Sequence, residues 1–181
     1  MPDASLSIDG TTVISKTSGN ISIDNFNSAS GNLTGATFPA GVIIGVENTT
    51  TTSIVAKSDT TYTTVISDSI TVQAGSKVLI NVSIPISASG DSSPAGGQIL
   101  QTGTASATIM SAIEVMDEHH ASSGGYFGST FMSGVLSAAG DYTFSFQGNR
   151  LSGSATVYFV SANPGSGSAS IATMTLYEIA G

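Results

Sequence analysis

The sequence of 181 residues contains no cysteine and no tryptophan, and only 9% of its residues are charged. The lack of cysteine excludes a disulfide framework, a thiolate metal site and a cysteine nucleophile. Only four residues are lysine or arginine, too few to neutralise the phosphates along a nucleic acid, so we expect no nucleic-acid partner. Apolar runs are far shorter than the roughly 20 residues of a membrane-spanning helix, so we expect no membrane partner. The first residues show neither the basic nor the apolar region of a secretory signal.

The residues that are present favour strands and an uncharged surface. The 12 acidic residues give a net charge of −8, but most of the surface must be built from serine, threonine, glycine and asparagine. A surface with so little charge is unusual for a free soluble protein. It suits a protein that is packed into an assembly, although a neutral surface adapted to an unusual environment is the open alternative.

Alternation of apolar and polar residues predicts strands through most of the chain. In residues 76–87 one face of the predicted strand is apolar: Val78, Ile80, Val82, Ile84 and Ile86. Pro85 lacks a backbone donor, so we expect it at a sheet edge or a bulge. Phe144 is central in a second alternating segment, and we expect both Val82 and Phe144 in the core. Many short strands separated by turn residues indicate an all-β antiparallel sandwich.

The first part of the chain lacks this alternation. Residues 18–40 are rich in serine, asparagine, glycine and threonine, so we predict an extended N-terminal arm over residues 1–50 and a sandwich over residues 51–181. Isolated apolar residues along the arm are spaced as anchors that would contact neighbouring subunits: Ile21, Ile23, Phe26, Leu33 and Phe38. Such a segment can add a strand to the sheet edge of a neighbour.

The densest ionisable cluster comprises Glu114, Asp117, Glu118, His119 and His120. Glu118 and His120 would share a strand face and are weak candidates for a divalent cation. Because nothing in the sequence points to the missing ligands, we interpret the segment as a solvated hairpin loop and expect no metal. The G-x-S-x-G turn of serine hydrolases and a helix-opening phosphate loop are both absent. We therefore expect no catalytic residues, no cofactor and no enzymatic activity.

Four segments carry a resemblance to a known family. They are residues 33–43 (LTGATFPAGVI), 60–65 (TTYTTV), 69–80 (SITVQAGSKVLI) and 174–181 (MTLYEIAG). They resemble segments in virion proteins of tailed bacteriophages, especially marine ones, and the resemblance extends over residues 33–181. It implies a jelly-roll sandwich of the C1q/tumour-necrosis-factor kind that assembles as a homotrimer. Residues 116–120 have no counterpart in it.

The resemblance implies a structural role in the virion. We expect a capsid decoration or cement protein, or a short head fibre, whose partners are further copies of itself and other virion proteins such as the major capsid protein. The doubly apolar segment 155–160 indicates surface that a homotrimer would bury. The alternative is a tail-fibre tip, a receptor-binding adhesin module for a host surface glycan or protein. In that case Tyr126 and Phe127 would lie in a receptor-facing loop.

Overall fold

The computed structural model describes residues 4–8, 11–17, 20–23, 39–90, 93–116, 124–161 and 169–181, the strands before residue 24 by their backbone alone. The chain divides into two compact units, Met1–Thr37 and Phe38–Gly181. The described residues form β-strands joined by turns and contain no helix.

The first unit contains a three-stranded antiparallel sheet. Its strands, in spatial order, are β1 (Ala4–Ile8), β2 (Thr11–Thr17) and β3 (Asn20–Ile23). The register places Leu6 opposite Ile14 and Ile14 opposite Ile23, so that apolar residues form a row across the three strands. Whether this part of the chain acts as an arm in assembly stays a prediction.

The second unit contains the remaining strands. They are β4 (Ile43–Thr51), β5 (Val55–Lys57), β6 (Thr63–Val72), β7 (Lys77–Ala88), β8 (Ala95–Gly103), β9 (Ala107–Met116), β10 (Gly124–Met132), β11 (Gly140–Arg150), β12 (Val157–Phe159) and β13 (Ala172–Ile179). β4 pairs with β13 along its length. Residues 38–50, which the sequence assigned to the arm, therefore lie in this second unit.

These strands form two antiparallel sheets with a shared core. One has the order β4-β13-β7-β10, with β12 and β5 beside the second half of β7, and the other has the order β6-β11-β8-β9. From β6 onward, each strand lies in the opposite sheet from the strand before it, with two exceptions. β8 and β9 form a hairpin within one sheet, and β12 and β13 both lie in the other. This is the strand order of a jelly roll. The predicted all-β antiparallel sandwich is confirmed.

The core lies between the two sheets and is built mainly from β7 and β11. The inward side chains of these strands are almost fully buried: Val78, Ile80, Val82, Ile84, Ile86, Tyr142, Phe144 and Phe146. Asn81, the neighbour of Val82, is exposed. The predicted core positions of Val82 and Phe144 and the predicted register of residues 76–87 are thus confirmed.

Pro85 lies inside the sheet, at the point where β7 changes neighbours. β13 pairs with β7 up to Ser83, and β12 takes over from Ile86. In the interval, the carbonyl oxygen of Pro85 accepts the backbone N–H of Val160 at 2.7 Å. Because the N–H and C=O of one residue point to the same side of a strand, the missing N–H falls at this break. The expected edge or bulge is therefore wrong, and a break between two partner strands accommodates the proline instead.

Candidate assembly face

A row of large side chains crosses the outer face of the β4-β13-β7-β10 sheet. Met132 of β10 lies opposite Leu79 of β7. Leu79 in turn lies opposite Tyr177 of β13, which lies opposite Val46 of β4. Residues directly opposite each other on antiparallel strands share one face of the sheet. Because the next residue of β13, Glu178, points to the core side, these four residues face outward; we call them the apolar row.

The apolar row is most exposed at its two ends. Val46 is 55% exposed and Met132 is 48% exposed, whereas Leu79 and Tyr177 are half-buried. Ile43, 53% exposed, extends the apolar surface along the edge strand β4. Contiguous exposed apolar residues of this kind mark interaction sites on soluble proteins.

The rest of this outer face is mostly polar, with Ile179 and the exposed ring of Tyr126 as exceptions, and it is free of acids among the described residues. The next row consists of Thr130, Asn81, Thr175 and Asn48, in which Nδ2 of Asn48 donates to the hydroxyl oxygen of Thr175 at 2.7 Å. Lys77 is the charged residue of this face. On a chain with a net charge of −8, an extended acid-free face is a departure from the average surface.

A buried carboxylate fixes the strand end that carries the row. Glu178 is 4% exposed, and its Oε1 accepts the backbone N–H of Gln73 at 2.6 Å and the hydroxyl group of Ser76 at 2.7 Å. Both donors belong to the turn between β6 and β7. Since hydrogen bonds to a charged acceptor are strong, they hold β13, and with it Tyr177, in place.

The outer face of the other sheet has a different chemistry. The hydroxyl groups of Ser69 and Thr143 lie 2.8 Å apart, and Nε2 of Gln98 donates to Oε1 of Gln147 at 2.7 Å. The carboxylate of Asp141 accepts a hydrogen bond from the hydroxyl group of Thr71 on the neighbouring strand. These side chains are satisfied by one another and lie in a polar surface, which suits contact with water.

A charged cluster lies near the other end of β7. The ammonium group of Lys57 lies 2.8 Å from the Asp59 carboxylate and donates to the hydroxyl oxygen of Thr63 at 3.0 Å. The hydrogen bond from Lys57, followed by the backbone N–H of Thr61, holds the pKa of Asp59 below its ordinary value of 3.8. The N–H of Arg150 donates to the Asp59 carbonyl oxygen at 3.1 Å. These contacts fix the loop between β5 and β6.

A shallow cleft of about 200 Å³ lies between the β8–β9 turn and the segment that follows β10. Two of its polar side chains are bonded within the chain: the Tyr142 hydroxyl donates to the Ala138 carbonyl oxygen at 2.9 Å, and Gln101 Nε2 donates to the Ala105 carbonyl oxygen at 3.1 Å. No acid, histidine or lysine lines it. In the part of the chain that the structure describes, no group of three or more histidines or acids could hold a metal.

Tyr126 and Phe127 lie in strand β10, opposite Pro85 and Ile84, and not in a loop as expected. The side chain of Tyr126 is 70% exposed. Phe127 points to the core side, where its ring centroid lies 5.6 Å from that of Phe146. Of the two residues, Tyr126 alone is available to a receptor, and that role stays a prediction.

The other predicted site residues are not brought together among the described residues. Ile21 and Ile23 lie in β3, where only the backbone is described. Phe26, Leu33 and Phe38 and the weak metal candidates Glu118 and His120 fall outside the described residues. Their roles stay predictions.

The apolar row was missed at the level of sequence. Leu79 and Tyr177 are large apolar residues on the otherwise polar faces of alternating strands, and this irregularity was the available signal. The sequence pointed instead to segment 155–160 as excess apolar surface. Val157, Phe159 and Val160 are fully buried within the single chain, so this segment does not supply the expected interface.

No protein-family model matches the chain, and no curated protein matches it. Among solved structures, the chain is similar to that of the infectious bursal disease virus Gx strain, with 12% identity and a TM-score of 0.41, over 77% of this chain and 37% of the viral chain. It is also similar to the VP2 subviral particle of that virus, with 12% identity and a TM-score of 0.42, over 76% of this chain and 38% of the viral chain. The T=1 particles derived from that virus give 11% identity and a TM-score of 0.43, over 76% of this chain and 36% of the viral chain. The chain spans less than two fifths of the length of these viral chains. In the described residues, no helix is long and apolar enough to cross a membrane.

Proposed function

We propose that this protein is a structural component of a virion: a capsid decoration or cement protein, or a short head fibre, of a tailed bacteriophage. The observation that carries the proposal is the contrast between the two outer faces of the sandwich. One face has an apolar row with two half-exposed ends and no described acid, and the other carries mainly hydrogen-bonded serine, threonine and glutamine, together with Asp141 and a half-buried Leu100. Such a sandwich is suited to lie against a partner on its first face and to contact solvent on its second. The resemblance of the sequence to phage virion proteins supplies the virion as the location.

The proposed occupant of the apolar row is a protein of the viral shell, such as the major capsid protein. Interface cores are apolar and poor in charge, as this face is, and Lys77 at its rim fits an acidic residue of the partner. Val46 and Met132 are each about half exposed. Completing their burial would stabilise the contact by roughly 1 kcal/mol each, about half of the value for burying a whole side chain of this size.

The test is binding of purified protein to particles assembled without it. Val46→Lys and Met132→Lys each place an ammonium group in the row, at positions exposed enough to leave the fold intact. We expect each variant to lower the affinity for the particle by at least about tenfold, because an unpaired charge in an interface costs more than 1.4 kcal/mol.

The matched control is Thr102→Lys, which adds the same charge to the other outer face. Thr102 is exposed and lies opposite Thr143 on the polar sheet. This variant should bind like the unmodified protein, and all three variants should unfold at the same urea concentration. If Thr102→Lys alone lost binding, the polar face and not the apolar row would contact the particle. Full binding by both row variants would refute the proposed contact through the apolar row.

We also propose that the protein assembles with itself as a homotrimer, as the resemblance implies. The low charge and the exposed apolar residues support self-association in general. Light scattering at micromolar concentration is expected to give three times the 18.1 kDa of one chain, or a multiple of that mass where trimers associate further. The mass of a single chain would contradict this proposal.

The alternative function is a tail-fibre tip that binds a host surface glycan or protein. It is favoured by Tyr126, whose exposed phenol ring could stack on a sugar or contact a receptor. Under this alternative, Tyr126→Ala would abolish binding to host cells, whereas Val46→Lys would not. The opposite pattern, with particle binding lost only in the row variants, would support the decoration role.

A further inference from the structure

Strand β10 forms an open edge of its sheet. It pairs with β7 over nine consecutive residues, from Gly124 opposite Ser87 to Met132 opposite Leu79. Among the described residues it has no second strand partner. Every second residue of such an edge presents a free backbone N–H and C=O, which are strong hydrogen-bonding groups that accept a further strand.

The edge lacks the features by which proteins usually protect an open strand. Proline, charged side chains and bulges are the common devices. β10 contains no proline and no charged residue, and its pairing with β7 proceeds without a register shift. The other long edge strands in the described residues each carry an acid, Glu47 in β4, Asp68 in β6 and Glu114 in β9, and each of their pairings contains a register shift.

The charge pattern favours a second copy of the chain as the occupant. When two identical strands pair across a two-fold axis, like charges near the axis face one another and destabilise the pair. On a chain with a net charge of −8, an acid in the edge strand would oppose self-pairing. Among the long edge strands of the described residues, β10 alone contains no acid, so two copies of it can pair without repulsion between like charges.

The order of side-chain sizes in β10 is self-complementary. With the axis at Gly128, Tyr126 faces Thr130 of the second copy and Phe127 faces Ser129. Glycines face the remaining large residues: Gly125 opposite Phe131, and Gly124 opposite Met132. Each large side chain therefore meets a small one, and an aromatic ring that covers a glycine across an edge is a favourable pair.

We propose that β10 is a self-association edge, at which two copies of this chain pair antiparallel through Gly124–Met132 across a two-fold axis at Gly128. The two six-stranded sheets then form one continuous sheet of twelve strands. The contact uses the backbone edge of β10, whereas the proposed particle contact uses the outward side chain of Met132 in the same strand. Within a homotrimer, the β10 contact would join subunits of neighbouring trimers.

A charge swap at the axis tests the proposal. Gly128 has room for a side chain, since an added Cβ would come no closer than 3.9 Å to the Val82 carbonyl oxygen. Gly128→Asp and Gly128→Lys each place like charges opposite each other, so sedimentation velocity is expected to give half the mass of the unmodified assembly. An equimolar mixture of the two variants should regain the full mass, because opposite charges then face each other.

Gly134→Asp is the control, because Gly134 is exposed, lies outside the strand and has no atom within 4 Å of an added Cβ. It should leave the mass unchanged. An unmodified protein with the mass of one chain would overturn the proposal, as would an assembly unaffected by either Gly128 variant. If the unmodified protein and both Gly128 variants all have the mass of a trimer, the homotrimer stands and the β10 contact is refuted.

A single cysteine provides a second measurement that does not depend on added charge. The chain has no cysteine, so Gly128→Cys introduces one thiol, which would meet its own copy at the axis. Mild oxidation should convert most of this variant to a covalent dimer on a non-reducing gel, and the Gly134→Cys control should remain mostly monomeric. Equal cross-linking of both variants would show random collision and would refute the two-fold contact.

Discussion

Replacing Val82 with aspartate tests the packing of the sandwich at its centre. Val82 is 0% exposed and lies between Ser129 of β10 and Met174 of β13 in the sheet. Val82→Asp places a carboxylate in this position. The matched variant is Asn81→Asp, which puts the same group one residue earlier on the exposed side of the same strand.

The expected difference between the two variants is large. Val82→Asp loses the burial of a valine, about 1.5–3 kcal/mol, and adds a desolvation penalty of several kcal/mol for a buried charge. Together these approach or exceed the about 5–15 kcal/mol that stabilises a typical domain. Asn81→Asp changes a surface position and is expected to shift the free energy of unfolding by no more than about 0.5 kcal/mol.

Urea unfolding followed by circular dichroism measures both variants. Val82→Asp should be unfolded, or barely folded, at pH 7. It should gain stability as the pH falls from 7 towards about 4, the ordinary pKa of an aspartate in the unfolded chain, because burial raises the pKa of the carboxyl group in the folded protein and favours its neutral form. If Asn81→Asp destabilised the protein as much as Val82→Asp, or if Val82→Asp were tolerated at pH 7, the packing of β7 described above would be wrong.

Three further predictions concern packing, pH and the first unit. Gly148→Ala would press a methyl group against the ring of Phe159 and should cost about 1–3 kcal/mol in urea unfolding, whereas Gly134→Ala should be neutral. Asp59→Asn removes a carboxylate whose pKa is lowered by its ammonium partner, Lys57. The stability that this carboxylate contributes is present at neutral pH and is lost as the pH falls below about 4. The free energy of unfolding of the variant should therefore decline less steeply in acid than that of the unmodified protein. Deleting residues 1–37 should leave thermal unfolding of the sandwich nearly unchanged but reduce particle binding, and a deletion protein that does not fold would contradict the predicted arm role.

The alternation of side chains was enough to predict the sandwich and its core. Val82 and Phe144 were assigned correctly because a period of two residues separates the faces of a strand whatever its neighbours are. The face that we propose for assembly could not be found this way. Met132, Leu79, Tyr177 and Val46 are far apart in the chain, and only the register of four strands shows that they form one row.

The position of β10 shows a second limit of local sequence signals. Glycines at 124, 125 and 128 favour a loop by their intrinsic propensity. Pairing with nine residues of β7 and the packing of Phe127 on Phe146 override that propensity. The proline at position 85 was misjudged for the same reason, since the sequence does not reveal which strands lie beside β7.

The most direct test of the central claim is an electron cryomicroscopy map of phage particles that carry this protein, at a resolution that separates the two sheets. The proposed function predicts that the β4-β13-β7-β10 sheet faces the shell, with Val46 and Met132 in contact with a neighbouring virion protein. The sheet that carries Ser69, Thr143 and Gln98 should face solvent. A map in which the apolar row is turned to solvent would contradict the proposed function.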